Sequence, residues 1–460
     1  MTVDLLVVGG GITGLAAAWE AVLAGARVTL VEAAPQLGGK VRTETIDGQL
    51  LDLGPDSVVT YRPAALALID ELGLTPQVIP ACEPRLVHLR VNGQLMPFPD
   101  AMGMVLPRRL GPLARTRTLS WRNKARAAAD LVLPRTLGPE DTSIGQFLRA
   151  RLGTGVVERF AQPMVGGIYG ASVDDLSLDA VLPSLRAAER DHRSLVLASL
   201  AEGRRSPGGG SPFRTLTSGM GALPDALARQ LAQRGADLRT GVSVVALERS
   251  EWGRTSARLS DGTRVTATSV VLATGATAMA DLLEGHADDA VAALRQVPQA
   301  SSTVVTLGAP ESAFDVAPTA QGWLEAGPAP ISGVTITSAK WPGRVPPGRV
   351  LLRAFVPGRL GPLATQPDPV VVDAVVAHIR PVLGLRGEPD LVRVTRWARC
   401  MPTYSVGHLD RVARVREAVD ALPGWHVAGS ALHGVGVPEC IADGRTAARA
   451  ALAELGGLPA

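Results

Sequence analysis

Val7-Val8-Gly9-Gly10-Gly11-Ile12-Thr13-Gly14-Leu15 joins a short apolar strand to an Ala-rich helix, and the reading of this stretch decides the fold. Val3 to Val8 is continuous, largely β-branched and short, as expected of a strand buried on both faces. Leu15 to Ala24 reads as a helix stopped by Gly25, and Arg27 to Glu32 as a second strand, closing a βαβ unit. Gly9, Gly11 and Gly14 sit where a dinucleotide cradle needs them. The first permits the tight turn, the second lets backbone approach a pyrophosphate, and the third lets helix and strand pack closely. Gly10, Ile12 and Thr13 complete that turn, and the free N–H groups of the helix start face the phosphates. Glu32 follows Gly14 by eighteen positions, with Ala33 behind it. Its carboxylate suits a ribose diol, which favours an unphosphorylated ribose. The plainer alternative is a glycine turn that only packs a helix.

Downstream of Glu32 stand Gly38-Gly39-Lys40-Val41-Arg42. A second glycine pair extends the cradle, and Lys40 and Arg42 add positive charge to it. Read otherwise, the two cations are a solvated basic turn. The doublet resembles that of the glutathione-reductase-like and amine-oxidase-like flavoproteins. That resemblance implies FAD rather than a nicotinamide.

Elsewhere the chain alternates in character. Leu66 to Leu72 predicts a helix ended by Gly73. Residues 101–210 are rich in Ala, Leu and Arg, with helical spacing at Asn123 to Leu133 and Ile144 to Leu152. A glycine-rich stretch, Gly203 to Pro212, closes them as a flexible connection. Leu223 to Gln233 predicts a helix. Val242 to Glu248, Ala257 to Ser260 and Arg264 to Thr268 predict strands, the last two joined at Asp261-Gly262. Residues 300–395 read as strands and turns. Trp425 to Leu455 reads as strand, glycine-rich turn and helix, and Gly429, Gly434 and Gly436 suit backbone lying close to a flat ring.

A length of 460 residues with 46% hydrophobic and 19% charged residues predicts a globular chain of two or three domains. The net charge of +3 gives no sign of nucleic acid as partner. Cys82, Cys400 and Cys440 lie far apart, which indicates neither disulfides nor a zinc site. His408, His426 and His433 lack metal-like spacing. Met1 runs straight into an apolar strand, leaving no room for a signal peptide, and no apolar run reaches the roughly 18 residues of a membrane span. The expected location is the cytoplasm, or a position peripheral to a membrane. Between Arg108 and Arg126 stand seven basic residues and no acid. They read either as a solvated helical face or as a docking face for an anionic membrane or the next enzyme of a pathway.

An ordered set of landmarks resembles the FAD-dependent porphyrinogen oxidases of the amine-oxidase-like superfamily. It comprises Gly54-Pro55-Asp56-Ser57 with Glu71-Leu72-Gly73-Leu74, Gly166-Gly167-Ile168-Tyr169-Gly170, Gly219 to Pro224, Lys340-Trp341-Pro342 and Val350 to Phe355. It continues with Arg396-Trp397, Met401-Pro402, Tyr404 to His408, Ala428-Gly429, and Gly434-Val435-Gly436-Val437-Pro438 through Gly444. The landmarks span nearly the whole chain. The resemblance implies an α/β fold with an FAD-binding Rossmann-like domain (residues 1–57, 213–280 and 395–460). A mixed α+β substrate domain (58–100 and 281–394) and a mainly helical domain (101–212) complete it. It implies oxidation of coproporphyrinogen III or protoporphyrinogen IX in haem biosynthesis, with hydride passing to FAD and dioxygen giving hydrogen peroxide. The more charged coproporphyrinogen is favoured by the lack of a membrane span and by the available cations. The implied cofactor contacts are the Gly9–Gly14 turn, Glu32, Ala33, Gly39, Lys40, Arg42, Gly54, Pro55, Asp56, Ser57, Val244, Trp397, Gly429, Val435, Gly436 and Val437. Toward the substrate it implies Arg62, Ile168 and Tyr169. Arg62 reads equally as a solvated residue at a helix start, and Ile168 with Tyr169 equally as core. Two positions depart from the family pattern, Leu432 where relatives carry an aromatic and Thr403 where they carry glutamine; both are expected near the pocket. An amine oxidase, or a non-catalytic escort protein on the same fold, remains as a rival; aromatics at 3% are scarce for an amine cage.

Overall fold

The opening apolar run becomes the strand Thr2–Val8, with Leu5 to Val7 sealed from solvent. A strand with no polar face fits the middle of a sheet. It pairs in parallel with Val28–Glu32 on one side and Arg264–Leu272 on the other. In the computed structural model these strands belong to a seven-stranded sheet. Its order is Asp237–Thr240, Val28–Glu32, Thr2–Val8, Arg264–Leu272, Thr255–Leu259 and Val244–Arg249. Arg264–Leu272 changes partner along one edge. Its first half pairs antiparallel with Thr255–Leu259, and its last three residues pair in parallel with Trp425–Val427. The structure describes residues 2–99, 105–106, 110–205, 210–250 and 253–456.

Residues 1–80, 212–297 and 410–460 cluster as one compact unit, and residues 81–211 and 298–409 as a second. In the first unit, helices cover both sheet faces. The first helix, Ile12–Leu23, lies against Ala222–Gln233 and the terminal helix, Val437–Gly456. Its run of alanines allows the close approach: Ala16, Ala17, Ala18 and Ala21 are all buried. On the other face, Met279, Leu283 and Leu294 pack against Leu6, Val8 and Leu272.

The second unit holds another seven-stranded sheet, in the order Leu391–Pro402, Gln299–Pro310, Arg349–Pro357, Gly333–Ile336, Gly322–Glu325, Val87–Val91 and Gln94–Pro97. Beside it lies the helical segment, where Leu89 and Val91 join a core with Phe147, Leu148 and Phe160. That segment is pinned by Arg151, wholly buried, which donates to the carboxylates of Asp130 and Glu189. Asp130 also accepts from Ser194 Oγ at 2.6 Å and the Val196 N–H at 3.0 Å, and Glu189 from the N–H groups of Thr136 and Leu137. A buried charge is tolerated when its oxygens are answered in this way.

The helix Ile144–Leu152 forms as its spacing predicts; Asn123 to Leu133 becomes a helix, Trp121–Ala128, followed by a 3-10 turn. One expectation is corrected. Residues 300–395 are not only strands and turns but include a sixteen-residue helix, Asp368–Leu383. Its valines suggest a strand, yet Val371, Val375 and Ile379 recur every four residues on one buried stripe, and tertiary packing overrides local propensity. The helical segment clusters in the same unit as the whole of the second sheet. Residues 58–80 and 281–297 cluster with the first unit, and 395–409 with the second. Arg108, Arg109 and residues 206–209 of the glycine-rich stretch lie outside the described residues. Among the described residues, no helix is long and apolar enough to cross a membrane.

Glu71 ties three helices of the first unit together. Its carboxylate accepts from Trp19 Nε1 at 3.0 Å and from Arg445 Nη1 at 2.9 Å. The Arg445 pairing, ahead of the Trp19 bond, holds this carboxyl below its usual range. The stabilisation is therefore present at neutral pH and fades as pH falls through the lowered pKa. Glu71→Ala should cost about 1–2 kcal/mol at neutral pH, the solvent exposure of the pair limiting the effect. Thermal unfolding at neutral pH and in acid checks this: the difference between wild type and variant should shrink in acid.

Candidate functional site

The turn at Gly9 has no spare volume on its inner side. Gly9 takes φ +107°, a Cβ on Gly14 would lie 1.9 Å from the Gly9 carbonyl oxygen, and one on Gly9 would lie 2.7 Å from that of Ala273. Gly11 differs, since nothing stands within 4 Å of where its Cβ would be. The loop is thus packed against the sheet below and open above Gly11, which is the shape a bound pyrophosphate requires. Glu32, half-buried, accepts the Gly10 N–H on Oε2 at 2.5 Å and the Ala34 N–H on Oε1 at 2.7 Å. Each oxygen keeps a lone pair for a ribose hydroxyl.

The second glycine pair folds back onto the first. The Gly38 N–H donates to the Gly10 carbonyl at 2.8 Å, and Gly11 and Gly38 form an isolated parallel bridge. A Cβ on Gly39 would sit 3.1 Å from the Gly11 Cα. Ahead of Lys40 and Arg42 the chain makes a hairpin, Thr43–Ile46 with Gln49–Asp52, which returns Gly54 to Lys40. There a Cβ would meet the Lys40 carbonyl oxygen at 1.9 Å. Residues separated in sequence, Gly39 to Arg42 and Gly54 to Ser57, therefore lie side by side. Within the second group, Ser57 Oγ donates to Asp56 at 2.8 Å. Val244 begins a strand whose approach runs along Glu32: the Val242 N–H donates to the Glu32 carbonyl at 3.1 Å.

The tail closes on the same turn. Gly429 has φ +124°, and its N–H donates to Asp443 Oδ2 at 2.7 Å. Asp443 stands on the terminal helix, where burial pushes its carboxyl above the usual range. One residue on, Gly444 allows that helix to cross the first one, since a Cβ there would lie 2.2 Å from the Thr13 carbonyl oxygen. Val435 and Gly436 then lead into the helix start at Val437. The Cys440 thiol, buried beside Thr13, is pushed up to about 11 by desolvation. Arg62 meets this segment directly. It stands at the N-cap position of the helix Pro63–Glu71, and its side chain pairs with Glu439 in the first turn of the terminal helix, Nη1 to Oε1 3.1 Å. Its side chain stays largely exposed.

The remaining expected positions belong to the second unit. A π-helix, Val157–Gly166, runs into Gly167–Tyr169, and Gly170 ends it in the left-handed region. Ile168 is half exposed, and the Tyr169 ring stands 5.8 Å from that of Tyr404, itself stacked on His408 at 4.0 Å. Trp397 lies on the strand Leu391–Pro402, opposite Ser302. Thr403 is buried, its N–H on the Pro298 carbonyl.

Leu432 is 2% exposed and packs into the core with Met279 and Trp425. Of the basic stretch, Lys124 donates to the carbonyls of Ala114 and Thr116, and Arg126 to those of Arg149, Ala150 and Arg151. These two cations serve the local fold, while Arg115, Arg117 and Arg122 face solvent. Among the described residues no group of His, Cys, Asp or Glu is placed to hold a metal.

Sequence reasoning missed Asp443, Thr43 and Asp52. Thr43 Oγ1 donates to Asp52 at 2.7 Å and accepts from the Gly221 N–H, while Asp52 accepts from the Met220 N–H, so Gly219 to Pro224 docks onto the hairpin. The legible signals were the second acid one turn after Glu439 and the crowding of glycines around position 220. The open face of Gly11, the free lone pairs of Glu32 and the pinned tail turn fit a flavin nucleotide.

Comparison with known proteins agrees. Residues 12–452 match the family described as flavin containing amine oxidoreductase. A coproporphyrinogen III oxidase of Propionibacterium freudenreichii is 52% identical, over 96% of this chain and 90% of its own. The Bacillus subtilis coproporphyrinogen III oxidase is 34% identical over 98% of each. A solved structure from Exiguobacterium sp. 255-15, provisionally named a protoporphyrinogen oxidase, superposes with a TM-score of 0.85 at 31% identity, covering 98% of this chain and 99% of that one. A putrescine oxidase at 17% identity and a TM-score of 0.73 shares the fold. With its glycine turn, ribose acid and tail turn in place, the chain belongs to the flavin-dependent amine oxidoreductases, on the branch of the coproporphyrinogen III and protoporphyrinogen oxidases.

Proposed function

We propose that this protein oxidises coproporphyrinogen III to coproporphyrin III with FAD as its cofactor and dioxygen as acceptor. The observation that carries this reading is the 52% identity to a coproporphyrinogen III oxidase across 96% of the chain, joined to a complete flavin cradle. FAD, when bound, would supply a two-electron acceptor: in each of three rounds a meso carbon would lose a hydride and a pyrrole N–H a proton, and dioxygen would take up the two electrons and two protons as hydrogen peroxide.

The chain's own residues hold and orient. Gly9 to Gly14 and the start of the first helix take the pyrophosphate through backbone N–H groups. Glu32 takes the adenosine ribose, Ala33 and Val244 the adenine side, and Gly39, Lys40, Arg42 and Gly54 to Ser57 the other arm of the nucleotide. Gly429 and Val435 to Val437 approach the ring, with Asp443 fixing the turn. Trp397 is a further cofactor contact. Ile168 and Tyr169 give an apolar wall for the tetrapyrrole, and Arg62 a cation for a propionate. No acid–base pair is assigned, because the difficult step belongs to the cofactor.

The Exiguobacterium relative supports protoporphyrinogen IX as a second substrate. A comparison of kcat/KM for the two porphyrinogens at one ionic strength tests the proposal, since salt screens a preference based on charge. Coproporphyrinogen III should be preferred. A clear advantage for protoporphyrinogen IX would move the chain to the other activity, and turnover of neither would end the oxidase reading.

Glu32→Ala should weaken FAD binding about 10-fold or more by removing charge-assisted hydrogen bonds to the ribose. Flavin absorbance of the purified variant, titrated with FAD, measures this. Arg62→Ala should raise KM for the porphyrinogen more than it lowers flavin content. Glu439→Gln supplies the control. If both variants lose flavin alike, the ion pair serves only to hold the tail turn.

A further inference from the structure

Around Ser301, at one end of the second sheet, the register breaks. Ser302 pairs with Pro357 on one neighbouring strand and Trp397 on the other, but Ala300 pairs with Met401. Residues 398–400 thus bulge out opposite the single Ser301. Arg399 stands in this bulge with φ +45°, a conformation that costs a non-glycine residue energy, and is held there by its N–H on Ser301 Oγ at 2.9 Å. On the other neighbouring strand the chain turns immediately after Pro357. Gly358 lies against Ser301, where a Cβ would stand 3.2 Å from its carbonyl oxygen, and Arg359 follows. Two arginines therefore flank one residue from the two sides of the strand Gln299–Pro310. With strands spaced about 4.8 Å apart, their backbones are separated by roughly 10 Å.

Both residues are exposed, and neither guanidinium has a hydrogen-bond or ion-pair partner among the described residues. The nearby Arg396 is different: it is spent on Asp368 and on the carbonyls of Ala364 and Gln366. Desolvation lowers the pKa of Arg359, with no acid beside it to offset the loss. Apolar and aromatic groups adjoin the place. Gly170 touches Ala300 at 3.6 Å for a Cβ, which brings the half-exposed Ile168 and Tyr169 alongside, and Trp397 begins the bulge. Exposed apolar and aromatic groups beside two unanswered guanidiniums suit a macrocycle with carboxylates on its rim.

We propose that Arg359 and Arg399 are a two-cation clamp for rim carboxylates of the tetrapyrrole, and that they set the preference for the substrate carrying four of them over the one carrying two. This rests on the porphyrinogen reading above. It also gives the bulge a purpose, since bulges beside binding sites re-aim side chains.

Arg359→Gln, Arg399→Gln and the double variant test the clamp in the FAD-loaded full chain, with Arg359→Lys and Arg399→Lys as charge-keeping controls. Two quantities are read: KM for coproporphyrinogen III and protoporphyrinogen IX, and equilibrium binding of coproporphyrin III by fluorescence quenching, which needs no turnover. Each glutamine variant should lose about 10-fold in coproporphyrin III affinity, the scale of one charge-assisted hydrogen bond. KM for coproporphyrinogen III should rise by a similar factor, KM for protoporphyrinogen IX should rise less, and the lysine variants should recover part of the loss. Unchanged coproporphyrin III binding in the double variant would overturn the clamp, whatever the turnover. Lost binding in a protein whose wild type oxidises neither porphyrinogen would keep the clamp and overturn the oxidase reading.

Discussion

The contact between Gly14 and the carbonyl of Gly9 governs the first unit. A Cβ at Gly14 would fall 1.9 Å from that oxygen, so any side chain there would push the first helix off the sheet. With it would go the alignment of the helix start above the turn. The terminal helix depends on the same place, since Gly444 rests on the Thr13 carbonyl one position away. Two glycines far apart in the chain thus let two helices converge on one loop. The space above Gly11 stays open.

Around this point the remaining contacts form a chain of dependence. Glu32 closes the turn through the Gly10 N–H, and the Gly38 N–H closes it from the other side through the Gly10 carbonyl. The hairpin of residues 43–52 carries the consequence to Gly54, and Thr43 and Asp52 carry it on to Met220 and Gly221. Asp443 pins Gly429 although burial disfavours its charge, and Arg416 Nη2 at 3.3 Å offsets part of that cost. A buried acid kept in place by a backbone N–H and an arginine defines the shape of the tail turn better than apolar packing would, because its hydrogen bonds have direction.

The second unit is organised differently. Its helical segment is centred on the buried Arg151 with Asp130 and Glu189, and its sheet leaves one end irregular around Ser301. Rigid packing holds the rest of the sheet through Val371, Val375 and Ile379 of the covering helix.

The βαβ unit, its glycines and Glu32 could be read directly from residues 3–32, because strand, turn and helix are local and each glycine answers a local steric demand. The helix Ile144–Leu152 was legible for the same reason, its Ser143 cap accepting from the Gln146 N–H one turn on. The helix Asp368–Leu383 was not, since its valines favour a strand until the neighbouring sheet supplies a stripe to bury. Leu432 and Arg62 show the same limit at the site. Sequence placed Leu432 just before the Gly434–Gly436 turn and Arg62 just beyond Gly54–Ser57, but only the fold shows Leu432 in the core and Arg62 paired with Glu439. The pair Arg359 and Arg399 had no local signature at all. Sequence alone determined the nucleotide turn and the order of the landmarks, which depend on neighbours within a few residues. Tertiary structure decided which distant carboxylate meets the Gly429 N–H and which arginines flank Ser301, because those contacts exist only once strands far apart in the chain are placed in register.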